Sequence, residues 1–227
     1  HALCQSREIT EAIVGPLRRN LNKALRDPEY LEMVCRQCID HKVPTLIHYK
    51  DSDFNEMVPQ YGHAIAHAIE HLSFHAGGKV NPLLHGEAVA IGMCVTAEVS
   101  KILGHCDQKT VDEHYKYVND AGLPVFIPEG LDLDAIQQKL CYDKHYVKKP
   151  TMGLLSEIGR MHCKEDGSYS VEVDNNIIRG ALEAHIARRL SSKKRRDLYC
   201  VSMKTRHESS SGFDPMTATQ FGPLCYC

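Results

Sequence analysis

Nowhere in its 227 residues does the chain contain a Gly-x-Gly-x-x-Gly turn. A dinucleotide-binding α/β half places such a turn between its first strand and helix, so no sign of that half is expected here. Nor does any apolar run approach the roughly 20 residues that a helix needs to cross a bilayer. Charge of one sign is not in excess either: 27 Lys and Arg stand against 29 Asp and Glu, a formal net charge of −2. That balance removes the general electrostatic case for a nucleic-acid partner. No secretory signal opens the sequence, and the cysteines at 4, 35, 38, 94, 106, 141, 163, 200, 225 and 227 are scattered. Free thiols in a reducing, cytoplasmic compartment are the expectation. With 43% hydrophobic residues the chain holds enough apolar material for the core of one domain with appendages.

The apolar spacing is predominantly helical. Ile9, Ile13, Leu17, Leu21 and Leu25 recur every four residues, with Gly15-Pro16 expected to break the run into a helical hairpin. Asp27-Pro28-Glu29 is a start signal, with Asp27 as N-cap and Pro28 in the first turn, for a helix through Val43. Cys35 and Cys38 lie within it and are read as helix-buried thiols rather than a metal or redox pair. Leu84 to Leu103 continues the pattern with small residues at 88, 90, 92 and 97, which permit close helix packing. After the break at Gly122-Leu123-Pro124, a helix is expected over Asp132 to Leu140, strand-like sequence over Gly153 to Gly159, and a short strand and closing helix between 170 and 190. Residues 1–190 therefore form a mainly α domain with a few short strands. Residues 191–227, with Lys193-Lys194-Arg195-Arg196 at their head, are expected to be a disordered tail.

The chemistry concentrates in Tyr61-Gly62-His63-Ala64-Ile65-Ala66-His67-Ala68-Ile69-Glu70 and Leu84-His85-Gly86-Glu87-Ala88-Val89-Ala90-Ile91-Gly92-Met93. His63 and His67, four apart on a helix, project from one face, and His85 opens the next helix. Neutral imidazole is a common zinc ligand, and catalytic zinc usually takes three protein ligands and leaves one position open. Taken alone, the same spacing through His71 and His75 also describes a plain histidine-rich helix face. Glu87 reads equally as a partner orienting a zinc-bound imidazole or as an acid at a helix N-terminus.

Together these segments resemble the dehydroquinate-synthase-like sugar-phosphate cyclases, whose pattern is Gly-His-x-x-Gly-His-Ala-Ile-Glu followed by His-Gly-Glu-Ala-Val-Ala-x-Gly-Met. The resemblance runs to about Arg189 and implies the C-terminal helical domain of such a protein, without the N-terminal α/β domain that binds NAD. It implies zinc, or cobalt in its place, on His63 and His85, with His67 in phosphate and proton chemistry. Ala66 departs from the family's glycine. The third ligand would be the Glu of a Glu-x-x-Lys segment, placed four residues ahead of His1. Lys42 matches a substrate lysine, and that role is favoured on the motif, although a cation near a helix C-terminus would by itself suffice to explain a Lys there. Lys144 is the nearest match to a phosphate-binding lysine, with His145 in place of the family's next Lys.

The substrate implied is a small phosphorylated sugar, and the family's habit implies a homodimer. Dehydroquinate synthases carry Arg and Asn against a substrate carboxylate where this chain has Glu56 and Gln60. A Glu there would repel a carboxylate, so a neutral sugar phosphate contacting Gln60, Lys42 and Lys144 is expected. The sequence is thus more similar to the 2-deoxy-scyllo-inosose synthase branch, which acts on glucose 6-phosphate, than to the dehydroquinate synthase branch. A decayed domain that keeps only the fold is the third reading.

Overall fold

A computed structural model describes residues 2–47, 60–140 and 149–209. Short helices open it: α1 (Ala2–Gln5), α2 (Arg7–Arg19) and α3 (Leu21–Ala24), followed by α4 (Pro28–Ile47). Side-chain caps set their starts. Ser6 Oγ accepts from the Ile9 amide at 3.2 Å, Asn20 Oδ1 from Lys23 at 3.0 Å, and Asp27 Oδ1 from Glu29 at 3.0 Å. The expected break at Gly15-Pro16 does not occur. Pro16 lies inside α2, which ends instead at Asn20, an extended residue (φ −162°) that caps α2 and starts α3. Burial of Val14 and Leu17 on either side of the proline holds the helix together, packing outweighing one lost amide bond.

Next come α5 (His63–Phe74), α6 (His85–Ile102), α7 (Gln108–Asp120) and α8 (Leu133–Leu140). The sequence reading did not mark α7, yet its cues are plain: Asp107 accepts from the Thr110 amide at 2.7 Å, and Val111, Tyr115 and Val118 share a buried face. The stretch expected as one strand, Gly153 to Gly159, is a hairpin. β2 (Leu155–Glu157) turns at Gly159 (φ +91°) into β3 (Arg160–Met161), while β1 (Thr151–Met152) pairs antiparallel with β4 (Val171–Glu172).

The chain divides into two units, residues 1–187 and 188–227. The last helix, α9 (Asn175–Ser209), begins in the first and supplies the described part of the second. It runs on through residues 191–209, where irregular chain was expected from the polar composition. Between Gly180 and Gly212 there is neither glycine nor proline, and Lys, Arg, Ala and Leu are good helix formers.

Within the first unit α6 is the spine. Residues 88, 90–92 and 94–100 are buried, as in a helix enclosed on all sides. Ile91, Val95 and Val99 join a core with Ile65 and Ile69 of α5, Ile136 and Leu140 of α8, and Ile178 and Leu182 of α9. Ala90, Cys94 and Ala97 join a second core with Leu3, Val14, Tyr61, Val111, Tyr115 and Leu155. Buried Ser100 is doubly bonded: its Oγ donates to the Thr96 carbonyl and accepts from the Leu155 amide, each at 2.9 Å, tying β2 to the spine.

At the crossing of α5 and α6 the two backbones touch. A methyl group on Gly92 would lie 2.3 Å from the Gly62 carbonyl oxygen and 2.9 Å from the Ala66 nitrogen. Gly62 itself has φ +80°, and a Cβ there would meet the Met93 backbone nitrogen at 2.6 Å. The methyl of Ala66 is accommodated at this face because residue 92 opposite has no side chain. Gly92→Ala is therefore expected to cost about 1–3 kcal/mol by overpacking. Its urea midpoint should fall accordingly, and an unchanged midpoint would contradict the contact.

Candidate metal centre

The left-handed Gly62 and the Gln60 carbonyl, which accepts from the His63 amide at 2.9 Å, start α5 so that His63 and His67 lie on the side facing the beginning of α6. The connection between them is folded back on α5. Ser73 Oγ donates to the Glu70 carbonyl at 2.7 Å and accepts from the Leu83 amide at 2.9 Å. His85, the first residue of α6, thereby completes a triangle of imidazoles. Ring centroids are 5.7 Å apart for His63 and His67, 5.5 Å for His63 and His85, and 5.9 Å for His67 and His85.

His85 Nδ1 lies 2.9 Å from Glu70 Oε2, and His63 Nδ1 lies 3.4 Å from the Tyr61 carbonyl oxygen. Both oxygens accept, so Nδ1 donates in each pair and Nε2 keeps its lone pair. Metal-bound histidines are fixed in this manner by carboxylates and carbonyls. Glu70, rather than Glu87, is the carboxylate behind His85. Glu87 instead accepts from the Leu84 amide at 2.8 Å and caps α6. The sequence signal for Glu70 was its place one turn beyond the His63–His67 pair, on the face toward His85.

Three imidazoles around a tetrahedral zinc, with Zn–N near 2.0–2.1 Å, would have ring centroids about 5.2 Å apart. The observed triangle is a few tenths of an ångström wider. Among the described residues, no three His, Cys, Asp or Glu groups close on one point as a ligand set. The donor chemistry and spacing thus fit a zinc-like ion on His63 and His85, with ligation to be completed by a group outside these residues.

Other expected site residues are distributed unevenly. Gln60 adjoins the triangle through its backbone, and Lys42 belongs to α4, where Cys35 and Cys38, expected to be buried, are exposed. Glu56, Lys144 and His145 lie outside the described residues.

Behind the triangle is a buried support that sequence reasoning missed. Tyr61 is 3% exposed, and its hydroxyl donates to the Met93 carbonyl at 3.3 Å and lies 3.4 Å from His114 Nε2. Cys94 Sγ is 4.0 Å from His114 Nδ1. Burial pushes the Tyr61 hydroxyl well above its usual range and the His114 imidazole down to about 3. The network therefore stays neutral and holds the residue whose carbonyl orients His63.

A mainly helical domain with a few short strands is the architecture of the C-terminal part of a dehydroquinate-synthase-like protein. Residues 1–146 match the family 3-dehydroquinate synthase C-terminal, and the chain belongs to that family. It is 35% identical to 2-deoxy-scyllo-inosose synthase of Micromonospora echinospora over 187 residues, 79% of this chain and 45% of that protein. With 3-dehydroquinate synthase of Methylococcus capsulatus it shares 31% identity over 171 residues, 74% of this chain and 45% of the relative. The chain thus spans less than half the length of these relatives. Among solved structures, 2-deoxy-scyllo-inosose synthase complexed with carbaglucose-6-phosphate, NAD+ and Co2+ is similar at 27% identity, with a TM-score of 0.57. That match covers 70% of this chain and 42% of the other. ValA, the 2-epi-5-epi-valiolone synthase of Streptomyces hygroscopicus with NAD+ and Zn2+ bound, shares the fold at 19% identity and a TM-score of 0.63, covering 82% and 48%.

Two consequences are measurable. Glu70→Gln should weaken zinc binding by roughly 10–100-fold, the usual cost of losing such a partner. Competition with a colorimetric chelator reads this directly, and unchanged affinity would remove Glu70 from the site. The second concerns acid. The His114 ring has a depressed pKa in the fold, so the unfolded chain takes up a proton below about 6.5 that the folded chain refuses until about 3. Stability should fall as pH drops through that window, by up to about 1.4 kcal/mol per pH unit from this group. His114→Gln should flatten urea-unfolding stability against pH accordingly, and an unaltered slope would show that His114 is not the group responsible.

Proposed function

We propose that the chain is the metal- and substrate-binding part of an NAD- and zinc-dependent sugar-phosphate cyclase of the 2-deoxy-scyllo-inosose synthase type, acting on glucose 6-phosphate. The observation that carries the reading is the imidazole triangle of His63, His67 and His85 backed by Glu70. The solved relative's complex with carbaglucose-6-phosphate, NAD+ and Co2+ supports the substrate and cofactor class. Glu56, where the dehydroquinate branch carries an arginine, favours a neutral sugar over an acidic one.

When bound, zinc supplies Lewis acidity at a substrate hydroxyl while NAD accepts and later returns hydride, so neither is consumed. His63 and His85 would hold the metal through Nε2, with Nδ1 of each committed to hydrogen bonds. His67 lies beside both and moves the proton as phosphate departs: a C–H and the neighbouring C–O bond break, a double bond forms between the two carbons, and the proton passes to a phosphate oxygen. Lys42 and Lys144 bind substrate oxygens, and Gln60 contacts a sugar hydroxyl. The same reading includes assembly as a homodimer and a reducing cytoplasmic setting.

Phosphate release tests the assignment. In the full-length protein with NAD and zinc, inorganic phosphate should appear from glucose 6-phosphate and not from a seven-carbon acidic sugar phosphate. The opposite preference would assign the dehydroquinate branch, and release from neither would leave a domain that keeps only the fold. Residues 1–227 alone are expected to show no turnover.

A further inference from the structure

The passage from α5 into α6 closes a ring of hydrogen bonds that begins and ends on Glu70. The Glu70 carbonyl accepts from Ser73 Oγ at 2.7 Å, and the same hydroxyl oxygen accepts from the Leu83 amide at 2.9 Å. Two residues further on, His85 Nδ1 lies 2.9 Å from the Glu70 carboxylate. Ser73 is 2% exposed and Leu83 8%, so the inner half of this ring is dry, where an amide that loses its partner is costly. The intervening connection has little stiffness of its own: Gly77 and Gly78 have φ of +60° and +82° and face open space. Successive amides at the entry to α6 are instead held by side chains, Leu83 by Ser73 and Leu84 by Glu87 at 2.8 Å.

We infer that Ser73 is a positioning residue of the metal centre: by fixing Leu83 against α5 it keeps the His85 ring on the Glu70 carboxylate, with the proton on Nδ1 and the lone pair of Nε2 left for a metal. The inference rests on the reading of His85 as a metal-side imidazole. The hydroxyl serves with its one hydrogen and one lone pair at once, so both neighbours fix its rotation. An alanine there would leave the Leu83 amide unpaired and open the ring at its buried point. Amides at the start of a helix have no intrahelical acceptor, so the first turn of α6 depends on such side chains for its place. With the ring open, His85 can leave Glu70 and its proton can pass to Nε2, which withdraws the lone pair that a metal needs.

The test reads the imidazole directly, in metal-free residues 1–227 at about pH 8, where histidine is neutral. Long-range proton–nitrogen correlation spectra should show His85 protonated on Nδ1, the signal being assigned by its absence in His85→Gln. In Ser73→Ala a substantial share of that proton should move to Nε2. Zinc affinity, read by chelator competition, should fall about tenfold, as when a metal-bound histidine loses its orienting partner. Ser100→Ala is the matched control, because its buried hydroxyl also donates to a helix carbonyl and accepts from a distant amide, but serves β2. That variant should lose comparable stability while leaving the His85 tautomer and zinc affinity at their wild-type values. Should Ser73→Ala not fold, Ser73→Cys, with a weakly bonding thiol of similar size, makes the same test. An unmoved tautomer or an unchanged zinc affinity in the Ser73 variant, or equal changes in Ser100→Ala, would overturn the proposal. The tautomer is read without metal or turnover, so failure of this positioning role and failure of the cyclase assignment are told apart.

Discussion

Everything at the histidine triangle depends on how closely two helices approach. The α5–α6 crossing is a contact of backbone on backbone, made possible by Gly62 on one side and Gly92 on the other. Were α5 displaced outward by one methyl group, His63 and His67 would recede from His85, and the triangle would open by a distance comparable to its present excess over a closed zinc site. The small residues along α6 therefore serve chemistry as well as packing. They let an imidazole from one helix and an imidazole from the next lie side by side.

Around that crossing, burial is organised so that polar groups are neutral or paired. Tyr61, His114 and Cys94 form an uncharged cluster against α6, while Glu98, 1% exposed, is paired with Lys101 at 2.7 Å. A buried carboxylate without its lysine would be costly, and a protonated His114 equally so. The support behind His63 is thereby rigid at neutral pH. The imidazoles of the triangle lie on the more open side, where His85 is 55% exposed.

Much of this was legible before any coordinates. The four-residue spacing of His63 and His67 and the His85-Gly86-Glu87 start of the next helix gave the triangle's composition, because helical periodicity alone puts such residues on one side. Asp27-Pro28 announced α4 correctly, since caps are local chemistry. What escaped were matters of tertiary choice. Pro16 looked like a break until the packing of Val14 and Leu17 was seen to outweigh it. Glu70 and Glu87 are both acids near His85, and only the path of residues 75–84 decides which one reaches the ring. Tyr61, His114 and Cys94 are far apart in sequence, and no period links them. The helix through residues 191–209 was hidden by a composition that looked polar but contained no breaker.

The turn at Gly159 has an implication of a different kind. Its amide donates to the Leu3 carbonyl at 2.8 Å, and a side chain there would lie 2.3 Å from the Arg7 nitrogen. The β2–β3 hairpin is thus pressed on the α1–α2 junction, while Ser100 fastens its other end to α6. Surface turns ordinarily accept insertions and drift in length among relatives. This one is pinned at one end to the α1–α2 junction and at the other to the spine helix, so its length should be among the least variable in the domain.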